Sequence, residues 1–282
     1  MRGIKLESRL ISSTSDKSVV FIRNLSKRKV SEENGCFFLE GERAVSEVPD
    51  EPGQIRTLVV SEGFCACSGE SEERIGEKRQ LFYKLKENAA RTVLVTDKVF
   101  ASLAQTVNPQ GIGAVIERPK EPELDRLLNT AKHVLVLENL QDPGNLGTCI
   151  RTADAFGFDA VICTDNCADV YNQKVLRSTV GSLFHLPVIQ YKEGIYRLVN
   201  MLKASGLSVI GAHPRDGVPS TSEDALSGRI GLIIGNEARG LSQAALFLAD
   251  RLVTIRMPGN SESLNAGIAA AVLMYEMTRK KV

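Results

Sequence analysis

Two rhythms of apolar and polar positions divide the chain. From about residue 132 onward, short and almost wholly apolar runs recur at 134–137, 160–163, 186–190, 207–212, 230–234 and 252–256. Between them lie stretches with helical spacing, at about 146–156, 171–181, 194–205, 241–249 and 262–280. Strands that are apolar on both faces and alternate with helices predict a mostly parallel sheet covered on both sides. In the last helix Leu264, Ile268, Val272 and Tyr275 recur at three- and four-residue steps and are expected to face the core. Ligands of such sheets collect in the loops at the C-terminal strand ends.

The earlier part of the chain is less regular. Val19, Val20, Ile22 and Leu25 predict a helix over 17–30, with Arg23, Lys27, Arg28 and Lys29 toward its end. Cations there either complement the helix macrodipole or meet a polyanion. A strand running into a helix is expected over 37–45, with further strands at 57–60, 92–96 and 113–116. The polar, glycine- and glutamate-rich stretch 61–78 is expected to be a loose loop or a poorly formed helix start. At 117–125 the sequence ERPKEPELD carries two prolines among charged residues, and proline blocks helix continuation while charge favours solvent. The expected organisation is therefore a small α/β domain over 1–118, a linker over 119–131 and a second α/β domain over 132–282.

Composition narrows the function classes. The 282 residues are 43% hydrophobic and 24% charged, an ordinary globular balance, and the net charge is only +1. Any nucleic-acid affinity must come from a local basic patch rather than an overall basic field. None of the six cysteines forms a CxxC pair and only three histidines occur, so no metal site is expected and the thiols are read as reduced. The N-terminal MRGIKLESRLISS has no apolar core of a signal peptide, and no apolar run reaches membrane-spanning length. A cytoplasmic protein is expected.

Three motifs carry the candidate chemistry. In the first, ENLQDPGNLG, a strand ends at Glu138, Asp142-Pro143-Gly144 makes a turn, and Asn145 stands at a helix N-terminus. Leu146, Ile150 and Ala153 form the buried face of that helix, and Arg151 lies within it. Alone, Asn145 reads as a helix cap and Arg151 as a surface cation. The second, IGLIIGNEARGLS, runs an apolar strand into a polar loop flanked by Gly235 and Gly240, where backbone amides can approach a ligand. It is neither a phosphate-binding P-loop nor a GxGxxG dinucleotide turn. In the third, VTIRMPGNSESLN, a strand passes through Pro258-Gly259 into the closing helix, with Glu262, Ser263 and Asn265 as possible caps.

In this order and at these strand ends, NLQDPGNLGTCIRTADAFG, IIGNEARGLS and IRMPGNSESLNAGIAAAVLMYE resemble the three motifs of the SpoU/TrmH family in the SPOUT superfamily. The resemblance covers about 132–282. Residues 1–118, through the basic helix and Phe38-Leu39-Glu40-Gly41-Glu42-Arg43, more weakly resemble the N-terminal substrate-binding domain of two-domain members that modify mainly rRNA. It implies S-adenosylmethionine as cofactor, with contacts at Gly235, Ile255 and Leu264. It implies catalytic roles for Asn145, Arg151, Glu237, Ser263 and Asn265, a deep trefoil knot, and a homodimer formed through the C-terminal domain. Ala238 stands where many members have glycine.

The implied reaction moves a methyl group from S-adenosylmethionine to a ribose 2′-hydroxyl of RNA, rRNA in preference to tRNA. The donor is already activated, so alignment of the two partners is the main task. No histidine lies in the motifs, and His133, His185 and His213 are given structural roles. A guanidinium is a poor base, so Arg151 is expected to act electrostatically on the developing oxyanion and the neighbouring phosphate, a base role being open only where desolvation and neighbours depress its pKa strongly. Aromatic residues make up 5% and Trp is absent, which argues against a base-stacking platform. Two readings compete: a knotted RNA-binding protein without activity, and a SPOUT enzyme that methylates a base. The α/β alternation alone would also admit a nicotinamide-dependent dehydrogenase, which the loop motifs disfavour.

Overall fold

The protein is described from a computed structural model, which covers residue 4, residues 9–51, 53–222 and 224–279. Most of the N-terminal stretch read for a signal peptide, and Lys280 at the end of the expected last helix, lie outside the described residues. Two compact units are present: residues 1–119 with 171–184, and residues 120–170 with 185–282.

The first unit contains β1 (Leu10–Ile11), α1 (Lys17–Asn24), α2 (Arg28–Asn34), β2 (Cys36–Glu40), α3 (Glu42–Ser46), β3 (Ile55–Ser61), α4 (Glu62–Ala66), α5 (Glu72–Asn88), β4 (Thr92–Val95), α6 (Asp97–Ala101) and β5 (Ile112–Glu117). Its five strands run in the order β1-β4-β3-β5-β2, with β5 antiparallel to both neighbours. The single helix expected over 17–30 is two helices. Asp16 caps the first by accepting from the Ser18 amide, and the chain leaves helical hydrogen bonding before Arg28. Arg28 and Lys29 therefore open a second helix instead of closing the first, so the macrodipole opposes them. Glu32 and Glu33, one turn on, offset this by ion pairs at 2.9 and 3.8 Å.

The stretch expected to be loose forms α4 and the first part of the 17-residue α5. Ser71 caps α5, Glu72 and Glu73 sit in its positive first turn, and Ile75, Lys78, Phe82 and Leu85 make its buried face. The charged Lys78 hides this stripe from a reading by hydrophobicity. It is buried because Glu70 and Glu42 receive its ammonium.

The second unit contains α7 (Leu124–Thr130), β6 (His133–Leu137), α8 (Pro143–Ala155) and β7 (Ala160–Thr164). The chain then passes through α9 (Gln173–Thr179), which groups with the first unit. It returns with β8 (Val188–Tyr191), α10 (Ile195–Ala204), β9 (Ser208–Ala212), β10 (Val218–Pro219), β11 (Ile230–Ile234), α11 (Gln243–Leu248), β12 (Arg251–Thr254) and α12 (Ala266–Thr278). Seven strands, all parallel, lie in the order β10-β12-β9-β11-β6-β7-β8. Val134, Val136, Ile162, Val209 and Ile233 pack with Leu198 and Leu202 of α10 into one core, which accounts for the unbroken apolar runs.

Inside the stretch 119–131 expected as linker, Leu124, Leu127 and Leu128 make α7 amphipathic, and Leu128 is wholly buried. In α12 the core-facing residues are Gly267, Ala270, Leu273, Met274 and Met277. Leu264, Ile268 and Tyr275 instead stand 36%, 51% and 52% exposed. The helix is apolar on every side, so spacing alone does not say which stripe meets its own sheet. No helix among the described residues is long and apolar enough to cross a membrane.

Candidate functional site

The three motif loops leave the C-terminal ends of β6, β11 and β12, parallel strands of one sheet in which β9 separates β11 from β12. After β6, Glu138 is buried and its carboxylate accepts from the Ser242 amide at 2.9 Å, which ties the first loop to the end of the second. Asp142, and not Asn145, caps α8: its Oδ1 accepts from the Asn145 amide at 2.8 Å, with proline at the start of the helix. The Asn145 side chain is thereby released from capping.

In the second loop Asn236 and Gly240 exchange backbone hydrogen bonds at 3.0 and 2.9 Å, and Gly240 takes a φ of +67°. A Cβ on Gly235 would lie 2.3 Å from the Gly240 carbonyl carbon, so only glycine lets this turn close. The Asn236 side chain braces the turn. Its Oδ1 accepts from the amides of Ala238 and Arg239, and its Nδ2 donates to the Asn139 carbonyl at 2.8 Å. Ala238 does not have a positive φ, so a methyl group is tolerated where the family pattern often has glycine.

The third loop ends at Asn265, the cap of α12, whose Oδ1 accepts from the Gly267 and Ile268 amides. Its Nδ2 donates to Asn145 Oδ1 at 2.9 Å. Asn145 Nδ2 in turn donates to Glu237 Oε1 at 3.2 Å, and the Glu237 carboxylate also accepts from the amides of Asp142 at 3.0 Å and Gln141 at 3.3 Å. One residue from each motif thus joins a continuous chain. Burial alone would raise the Glu237 carboxyl, but donors from Asp142, its own amide, Asn145 and Gln141 hold it below the ordinary value.

Beside this chain lies a cavity of about 420 Å³. Gly235, Glu237, Ile255, Ser263 and Leu264 line it, while Asn145 and Asn265 reach its wall through the hydrogen bonds just described. Arg151 stands apart, exposed on α8 and outside the lining. The sequence reading missed Ala212, His213 and Pro214, which leave β9 and line the same cavity. Position at the end of the strand expected over 207–212 was the signal available for them. His213 Nδ1 accepts from the Asp216 amide at 2.8 Å.

Residues 132–275 match the model of the SpoU rRNA Methylase family, and residues 16–114 match the MRM3-like substrate binding domain. The chain is 36% identical over 267 residues to the 23S rRNA (guanosine(2553)-2′-O)-methyltransferase RlmP of Bacillus subtilis, covering 95% of this chain and 98% of that one. Its fold is similar to that of the AdoMet-bound rRNA methyltransferase from Sinorhizobium meliloti, with TM-score 0.81, 26% identity and coverage of 96% and 97%. It is also similar to the SpoU methyltransferase AviRb of Streptomyces viridochromogenes in complex with AdoMet, with TM-score 0.76, 28% identity and coverage of 93% and 98%.

Proposed function

This chain belongs to the SpoU rRNA methylase family, and we infer that it transfers the methyl group of S-adenosylmethionine to a ribose 2′-hydroxyl of RNA, specifically of rRNA. The observation that carries the reading is the hydrogen-bonded chain Glu237–Asn145–Asn265 beside a single cavity, because it brings three motifs far apart in sequence to one place. The cavity residues fit the cofactor. About 420 Å³ lies within the usual range for small-molecule sites, and Gly235 leaves backbone within reach of a ligand where a side chain would clash. When bound, S-adenosylmethionine supplies an electrophilic methyl group on a cationic sulfur.

The remaining work belongs to the protein. Gly235, Ile255 and Leu264 hold the cofactor through backbone and apolar contact. Glu237, ionised and saturated with donors, fixes the first loop against the second, and Asn145, Ser263 and Asn265 orient the incoming ribose. Arg151 is assigned the steadying of the developing 2′-oxyanion. Residues 1–118 grip the RNA and residues 132–282 carry the reaction.

The exposed Ile268 and Tyr275 of α12 support a homodimer through the C-terminal domain, because apolar groups this open on one helix face call for a partner surface. The deep trefoil knot belongs to the same reading. Six free, buried cysteines suit a reducing, cytoplasmic setting. The test is labelling of RNA from cells lacking the protein with tritiated S-adenosylmethionine, followed by mapping of the labelled nucleotide. A ribose methyl supports the reading, whereas a base methyl or no transfer overturns it.

A further inference from the structure

A second cavity, of about 410 Å³, adjoins the first. Pro214, Ile255 and Met257 line both, so the two share a wall. Their linings otherwise differ in chemistry. The second cavity carries Arg215 and Arg256 together with the polar side chains of Thr254, Asn260 and Ser261 and one carboxylate, Glu262. Arg256 is exposed, and among the described residues it has no ion-pair or hydrogen-bond partner. Arg215 pairs with Glu262 at 3.3 Å, but both side chains are largely exposed, and such a pair exchanges readily for another anion.

We propose that this second cavity is a phosphodiester subsite, in which Arg215 and Arg256 hold the RNA backbone next to the ribose presented to the first cavity. The proposal rests on the methyltransferase reading for the position of that ribose. A 2′-hydroxyl is only a few bonds from the phosphate on its own 3′-oxygen, so a ribose facing the first cavity brings that phosphate to the shared wall. A chain with net charge +1 needs local cations to meet RNA, and this pair stands where the reaction requires alignment. Guanidinium forks match phosphate oxygens, which accounts for arginine in preference to lysine at both positions.

The test measures binding of an unmethylated 23S rRNA transcript, and of a random-sequence single-stranded oligoribonucleotide, as a function of salt. Wild type is compared with Arg215→Ala, Arg256→Ala and Arg256→Lys, and S-adenosylhomocysteine affinity is recorded for each. Each alanine variant is expected to weaken both RNAs and to lower the salt slope by about 1, as loss of one phosphate contact does, with S-adenosylhomocysteine affinity unchanged. Arg256→Lys should keep most of the slope. Wild-type slopes in both alanine variants overturn the proposal. So does weakened S-adenosylhomocysteine binding, which would make the cavity an extension of the cofactor site. Failure of the wild-type chain to bind S-adenosylhomocysteine would instead count against the methyltransferase reading.

Discussion

Asn265 Nδ2 donates a hydrogen bond of 2.9 Å to Oδ1 of Asn145, a residue 120 positions earlier in the chain. Each asparagine does two things at once. Asn265 caps α12 with its oxygen and reaches Asn145 with its nitrogen, while Asn145 passes the connection to Glu237. The order of the site therefore depends on amides that offer a donor and an acceptor on one side chain.

Replacing Asn145 by Ala interrupts this chain while leaving the α8 cap at Asp142 intact. Methyl transfer to RNA should fall on the order of 10²-fold, with little change in melting temperature. Single-turnover transfer of a tritiated methyl group checks it, and near-wild-type turnover would remove Asn145 from the site.

Glu237 gives the site a defined acid sensitivity. Its carboxyl is held below the ordinary 4.5, so its contribution is complete above that pH and is lost as pH falls through the lowered value. Glu237→Gln should be less stable than wild type at neutral pH, and the difference should shrink in acid. Urea midpoints of both proteins across pH measure this, and a constant difference would contradict it.

At Gly235 the added methyl group of Ala has nowhere to go, since the nearest obstacle is Gly240 backbone and not a flexible side chain. Gly235→Ala should displace the second loop and cost at least tenfold in S-adenosylhomocysteine affinity, on the order of 1.4 kcal/mol. Ala238→Gly, in the same loop, should leave affinity nearly unchanged. Calorimetric titration of the two variants separates close approach from general loop softening.

Arg151→Ala should abolish methyl transfer while S-adenosylhomocysteine affinity and oligomeric state stay close to wild type, because the residue is exposed and lines no part of the cofactor cavity. Residual wild-type-like turnover would remove Arg151 from the reaction.

Introducing charge at Ile268 and Tyr275 tests the dimer surface. Both side chains are about half exposed, so Ile268→Glu with Tyr275→Glu should spare the fold and yield a monomer in sedimentation velocity. A dimer that survives both changes would place the interface elsewhere.

Much of this protein is written in local pattern. Six strand cores of the second unit, the three motif loops and the buried face of α8 follow from runs of apolar residues and from turn chemistry, which act over a few neighbours. Other features depended on partners remote in sequence. Lys78 is part of a buried helix face only because Glu70 and Glu42 meet it, so the first part of α5 read as a loose loop or a poorly formed helix start. Leu264, Ile268 and Tyr275 looked like core because periodicity finds a stripe but not what lies opposite.

Sequence alone determined which residues carry the candidate chemistry and in what order they come. Tertiary structure decided that Asp142 takes the cap and frees Asn145, that His213 and Pro214 join the cavity wall, and that Arg215 and Arg256 share a second cavity beside it. The reason is physical: parallel strands place successive loops at one edge of the sheet, but which side chains then touch is settled by packing between segments that no local pattern connects.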